Sequence, residues 1–157
     1  MDLIVTGVAA GVLGTIAMDA LNHLFARTGL ILKIDVRMIG RMSAGWARGR
    51  FRYRHPGEME KVANEAFWGY ITHYGIGLGL AIPFVFGWDL LVGGPVSPVW
   101  TLAYGVATTV ASVFFVYPSM GLGAFGRRSP EGIKAPLSSL ANHFFFGAGM
   151  AIAVGLV

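Results

Sequence analysis

At 157 residues the chain is one domain's length, and its composition excludes a water-soluble domain. Apolar types make up 55% of it and charged types 13%, against roughly 25% charge in soluble domains, and the mean hydropathy is +0.63. Without cysteine there is no disulfide frame, thiolate metal site or thiol nucleophile. The sequence predicts an all-α membrane protein.

Four runs are long enough to cross a hydrocarbon core, which takes about 20 apolar residues. They cover about 3–26, 66–92, 99–116 and 137–157, within a single four-helix domain over 1–157. The first has Asp2 where a signal peptide carries its basic region, and no small-residue cleavage site follows, so it reads as a retained helix.

The loop over 27–65 is too long for a plain connector. Ile34, Met38, Met42 and Trp46 recur at helical spacing, with Lys33, Arg37, Arg41 and Arg48 among them. That pattern predicts an interfacial amphipathic helix on an anionic leaflet. Beyond Gly49, arginine alternates with aromatic residues through Arg50-Phe51-Arg52-Tyr53-Arg54-His55. Such alternation can stack on nucleic acid, but between membrane helices it points to lipid headgroups, with Arg37, Arg41, Arg50, Arg52 and Arg54 as contacts and no nucleic-acid partner.

In the second span Pro83 removes a backbone donor and predicts a kink near Gly79. Small residues four apart (Gly7/Gly11, Gly75/Gly79, Ala103/Ala107/Ala111, Gly147/Ala151/Gly155) predict close helix contacts and self-association as a homodimer or docking with a membrane-complex partner. Tyr117-Pro118 closes the third span. No phosphate-binding glycine motif, nucleophile elbow or zinc-protease motif occurs, so the sequence assigns no catalytic residue.

Every Lys and Arg lies in the first loop or in the third, where Arg127, Arg128 and Lys134 stand. The positive-inside rule places both loops in the cytoplasm and both termini outside, and Trp46, Trp68, Trp88 and Trp100 fall near or beyond helix ends as an aromatic belt does.

The second and fourth spans share a ten-residue window, His73 to Ile82 and His143 to Ile152: His, aromatic, two variable, Gly, variable, Gly, Leu or Met, Ala, Ile. Gly7-Val8-Ala9 and Gly105-Val106-Ala107 match more weakly in the other two spans. A tandem repeat of two-helix units is the expectation, with His73 and His143 facing a common axis.

Counting rise from the helix ends on the basic side puts Asp19 and His73 about 11 Å deep, His143 about 9 Å and His23 about 5 Å, with Glu65 at the mouth on nearly the face of His73. Ionisable groups at such depth are costly in lipid and face a bundle interior or a wet cavity. Three functions fit. Asp19, His23, Glu65, His73 and His143 bind a transition metal, or His73 and His143 ligate a haem. Alternatively the same residues line a proton-coupled path for a small solute or ion. In the third they are interhelical glue in an accessory or assembly subunit, with Asn22, Thr72, Ser139 and Asn142 as hydrogen-bond partners.

Asp19 in a Gly-rich first helix, Gly40-Arg41, Gly49-Arg50-Phe51 and His55 occur in that order. Glu65, Gly69, His73-Tyr74 with Gly77, Pro118 with Met120-Gly121, and Ser139 with His143 and Gly147 follow. Together they resemble the bacterial membrane family catalogued as domain of unknown function 2938. The resemblance covers nearly the whole chain and implies a small four-helix protein of the bacterial inner membrane. It implies no activity.

Orientation is tested by cysteines at positions 2 and 50 in intact cells: an impermeant maleimide should label position 2 and spare position 50. The opposite pattern means an inverted topology.

Overall fold

The computed structural model describes residues 2–156, which are helical and, among the described residues, contain no strand. Four helices are long and apolar enough to span a membrane: α1 (Leu3–Ala26), α3 (Glu65–Leu91), α4 (Pro98–Ser119) and α5 (Lys134–Leu156). Helix α2 (Val36–Ala47) fills the first loop. Hydrocarbon offers no partner to a free amide or carbonyl, so uninterrupted apolar runs in this setting become helices. The Asp2 carboxylate caps α1 by accepting from the Ile4 amide at 2.9 Å, and Pro98 opens α4 at a position that needs no donor.

The predicted spans are all present, with shifted ends. Helix α5 begins at Lys134, because Pro136 falls in its first turn, where proline is tolerated; its predicted end at Val157 lies outside the described residues. Helix α4 continues to Ser119. It passes Pro118 by widening into a π-turn over Ser112–Val116, in which the Tyr117 amide reaches back to the Ser112 carbonyl. Helix α3 runs through Pro83 without a break.

The spans pack in the order α3, α1, α5, α4. Gly7 and Gly11 of α1 lie against Ile82 and Leu78 of α3, and Gly77 lies against Thr15. Gly14 and Gly149 form the α1–α5 seam, Gly105 and Gly147 the α4–α5 seam. Stripes of this kind let backbones approach where lipid supplies no hydrophobic drive. One predicted stripe is displaced: Gly75 and Gly79 face open space, and Gly77 between them carries the α3 contact. Helices α3 and α4 meet instead through side chains. Phe84 stacks on Tyr104 at 4.3 Å between ring centroids, and the Tyr104 hydroxyl donates to the Leu80 carbonyl at 2.8 Å.

Helix α2 crosses the start of α3 at a reciprocal glycine contact. A Cβ on Gly40 would overlap the carbonyl of Glu65, and one on Gly69 would overlap that of Val36. Its apolar side, Ile39 and Met42, is buried with Tyr53, Met59 and Met120 in a small core where the two basic loops meet. A second core, with Met18, Phe146 and Met150, lies between the spans.

Gly40→Ala and Gly69→Ala should each cost about 1–3 kcal/mol through backbone overlap, whereas Gly75→Ala and Gly79→Ala should be neutral or slightly stabilising. Thermal unfolding of the four purified variants checks the contrast.

Candidate functional site

Asp19 is the one carboxylate in the interior of a span; Glu65 and Asp89 lie at the ends of α3. It projects from α1 to α3, where His73 Nε2 meets its Oδ1 at 2.9 Å. The side chains are 12% and 27% exposed for His73 and Asp19, so the pair is partly enclosed and still reachable. An ionised carboxylate only accepts, so Nε2 carries the proton and His73 Nδ1 is left as an acceptor. The ring of Tyr74 stands edge-on to His73 at 6.0 Å.

His143 of α5 makes a parallel arrangement with α4. Its Nδ1 lies 2.8 Å from Thr108 Oγ1, and the Thr108 hydroxyl donates to the Gly105 carbonyl at 2.6 Å. A hydroxyl has one proton, so the Thr108 oxygen accepts from His143 Nδ1–H. His143 Nε2 is therefore an acceptor, and it takes no hydrogen bond from another described residue.

Nearer the basic face, a second set of polar groups is fully committed to structure. Asn22 of α1 donates to Asn142 of α5 and to the Leu32 carbonyl, each at 2.9 Å, and accepts from the Ile34 amide at 3.0 Å. The Leu32 amide donates to Ser138 at 2.8 Å, so the extended segment after α1 is strapped across two spans. Ser139 donates to Ser112 in the π-turn of α4 at 2.9 Å.

The remaining predicted residues take other partners. Glu65 accepts both Nε and Nη2 of Arg41, at 2.7 and 2.9 Å, in a fork that locks α2 onto α3. That hydrogen bond holds the Arg41 guanidinium above its ordinary range against the opposing effect of burial. His23 is exposed and accepts from Arg27 at 2.8 Å, away from Asp19. Arg50 pairs with Glu58 at 2.9 Å and lies over the Tyr53 ring. The Glu58 carboxyl is held below the usual range chiefly by the Arg54 amide. Arg37 is exposed on α2, and Arg52 and Arg54 are exposed beyond it.

The structure thus joins Asp19 to His73 and His143 to Thr108, and leaves His23 and Glu65 with other partners. Among the described residues no three His, Asp or Glu side chains gather where they would hold a metal ion. Sequence reasoning missed Thr108, whose hydroxyl fixes the His143 tautomer; its place one turn beyond Gly105 was the available signal.

The family model described as protein of unknown function (DUF2938) matches residues 8–157. No curated protein and no solved structure gives a match.

Asn22→Ala leaves the Asn142 amide, the Leu32 carbonyl and the Ile34 amide without their partner, and should destabilise the fold by about 1–3 kcal/mol. Asn142→Ala should cost less, since Asn22 keeps both backbone contacts. Unfolding in detergent compares the two, and equal losses would mean that the strap contributes nothing.

Proposed function

This chain belongs to the DUF2938 family, and from the geometry of its buried polar residues we propose that it is a proton-coupled transporter or channel for a small solute or ion. The Asp19–His73 pair at 2.9 Å across α1 and α3 carries this reading. A carboxylate and two imidazoles, each imidazole with an acceptor nitrogen left open, form a set of groups that can take up and pass a proton. Buried ionisable groups in membrane spans serve this chemistry in pumps and transporters. The membrane is the bacterial inner membrane, with the basic face in the cytoplasm and both termini outside, on the positive-inside argument.

The tandem-repeat reading supports the same site. Each histidine bonds to the preceding span of its own two-helix unit, His73 to Asp19 and His143 to Thr108. Gly77 and Gly147 likewise each pack on that preceding span. The two units then present their imidazoles to a shared interior. A resident metal or haem, the other reading of these residues, would bind those same open nitrogens, with Asp19 and Thr108 keeping the opposite ring N–H groups.

Purified protein in liposomes with a trapped pH-sensitive dye and an imposed membrane potential tests the proposal. Wild-type vesicles should take up protons faster than protein-free ones. Asp19→Asn and His73→Gln should slow that uptake by at least about a hundredfold, the low end of what a positioned proton carrier contributes. Thermal midpoints of the same preparations separate lost transport from lost folding. Wild-type flux in folded Asp19→Asn protein overturns the relay; a Soret band or a stoichiometric metal in the purified chain restores the cofactor reading.

A further inference from the structure

The basic residues of the two loops divide into two groups. Arg41, Arg48 and Arg50 are each paired with a glutamate: Glu65, Glu60 and Glu58. Arg52, Arg54, Arg127 and Arg128 form no ion pair among the described residues. These four come from different loops and line one cavity of about 470 Å³, with no carboxylate in its wall. Its size falls within the range of about 300–1,000 Å³ typical of ligand pockets. Four like charges around one void repel one another, and a fold places them so only where the backbone is firmly held.

Here it is held by several interlocking contacts. Gly121, at φ +82°, lets the third loop pass close to the backbone of His55, where a Cβ would overlap. Ser119 donates to the Phe51 carbonyl at 2.8 Å. Arg128 donates from its own amide to the Leu122 carbonyl at 2.8 Å and from Nη1 to the Arg54 carbonyl at 3.0 Å, which ties one wall of the cavity to the other. Pro118, at the end of the α4 span, is among the residues that line the cavity. Phe51 and Phe125, next in sequence to the lining residues Arg52 and Ala124, are exposed. Phe125 is held at φ +59°, a conformation that costs a non-glycine residue energy.

We propose that this cavity is a binding site for a phosphate group with more than one negative charge, carried by a lipid headgroup at the basic membrane surface or by a soluble phosphate monoester. Arginine forks match phosphate oxygens two at a time. A phosphodiester has a single charge for four guanidiniums, whereas a phosphomonoester or a pair of phosphates balances them better. Pro118, at the end of a membrane-spanning helix and in the cavity lining, favours the lipid source.

Native mass spectrometry of the full chain in detergent, titrated separately with phosphatidic acid, phosphatidylglycerol and glycerol 3-phosphate, tests the site. Wild type should bind phosphatidic acid about tenfold more tightly than phosphatidylglycerol. Arg127→Gln/Arg128→Gln should weaken phosphatidic acid binding by at least about tenfold. Lys33→Gln/Lys61→Gln removes the same charge outside the cavity and should change binding by less than about twofold. If the double variant fails to fold, Arg52→Gln, whose guanidinium makes no hydrogen bond within the described fold, carries the test with an expected loss of about tenfold. Equal binding of glycerol 3-phosphate and phosphatidic acid, lost in the same arginine variants, assigns the soluble source. Equal losses in the cavity and control variants, or no preference for the monoester lipid, overturns the site.

Discussion

Lipid tails are as apolar as leucine, so burying apolar surface does not bring helices together inside a bilayer. What remains is close approach of backbones and the need to satisfy polar groups within the protein. This chain meets the first need with glycine on both sides of a seam: Gly11 against Gly77, Gly14 against Gly149, Gly105 against Gly147. Those seams join three neighbouring pairs of spans and leave the fourth pair, α3 and α4, separated by side chains such as Phe84 and Tyr104. The bundle therefore has three tight sides and one upholstered with aromatics. Aromatic contacts across a gap can slide or separate without overlapping backbones, and glycine seams cannot.

The polar residues fall into two sets with different characters. Near the basic face Asn22, Asn142, Ser138 and the backbone of Leu32 and Ile34 satisfy one another. Beside them, His73 and His143 each keep a ring nitrogen without a hydrogen bond, which structural glue has no need to do. The first set fixes where the helices stand, so the second can hold a proton-accepting geometry without also bearing the load of packing.

Much of the fold was legible in the sequence. Long apolar runs, the segregation of all cationic residues into two loops, and the periodicity from Ile34 to Trp46 mark the spans and α2. Partner choice was not legible. Asp19 and His23 share a helix face by spacing, yet α1 turns Asp19 to His73 and leaves His23 to Arg27. Glu65 lies near the face of His73 by angle, and α2 reaches it first through Arg41. In a helix that is apolar all round, nothing local marks which glycine stripe meets protein, so Gly75 and Gly79 could not be told from Gly77. The proximity of Arg127 and Arg128 to Arg52 and Arg54 depends on two loops crossing at Gly121, a long-range event with no periodic signature.

The central position of α1 has a consequence for how the chain is made. A nascent polypeptide emerges N-terminal end first, so α1 is in the bilayer well before its neighbours. Its Asp19 side gains a partner once α3 has followed, while its Asn22 and Gly14 side waits for Asn142 and Gly149, contributed by the final span. Until then a polar amide and a bare glycine stripe stay open to lipid or to the insertion machinery. Helix α5 therefore acts as a keystone: a chain that stops before 134–156 leaves the polar seam of α1 exposed.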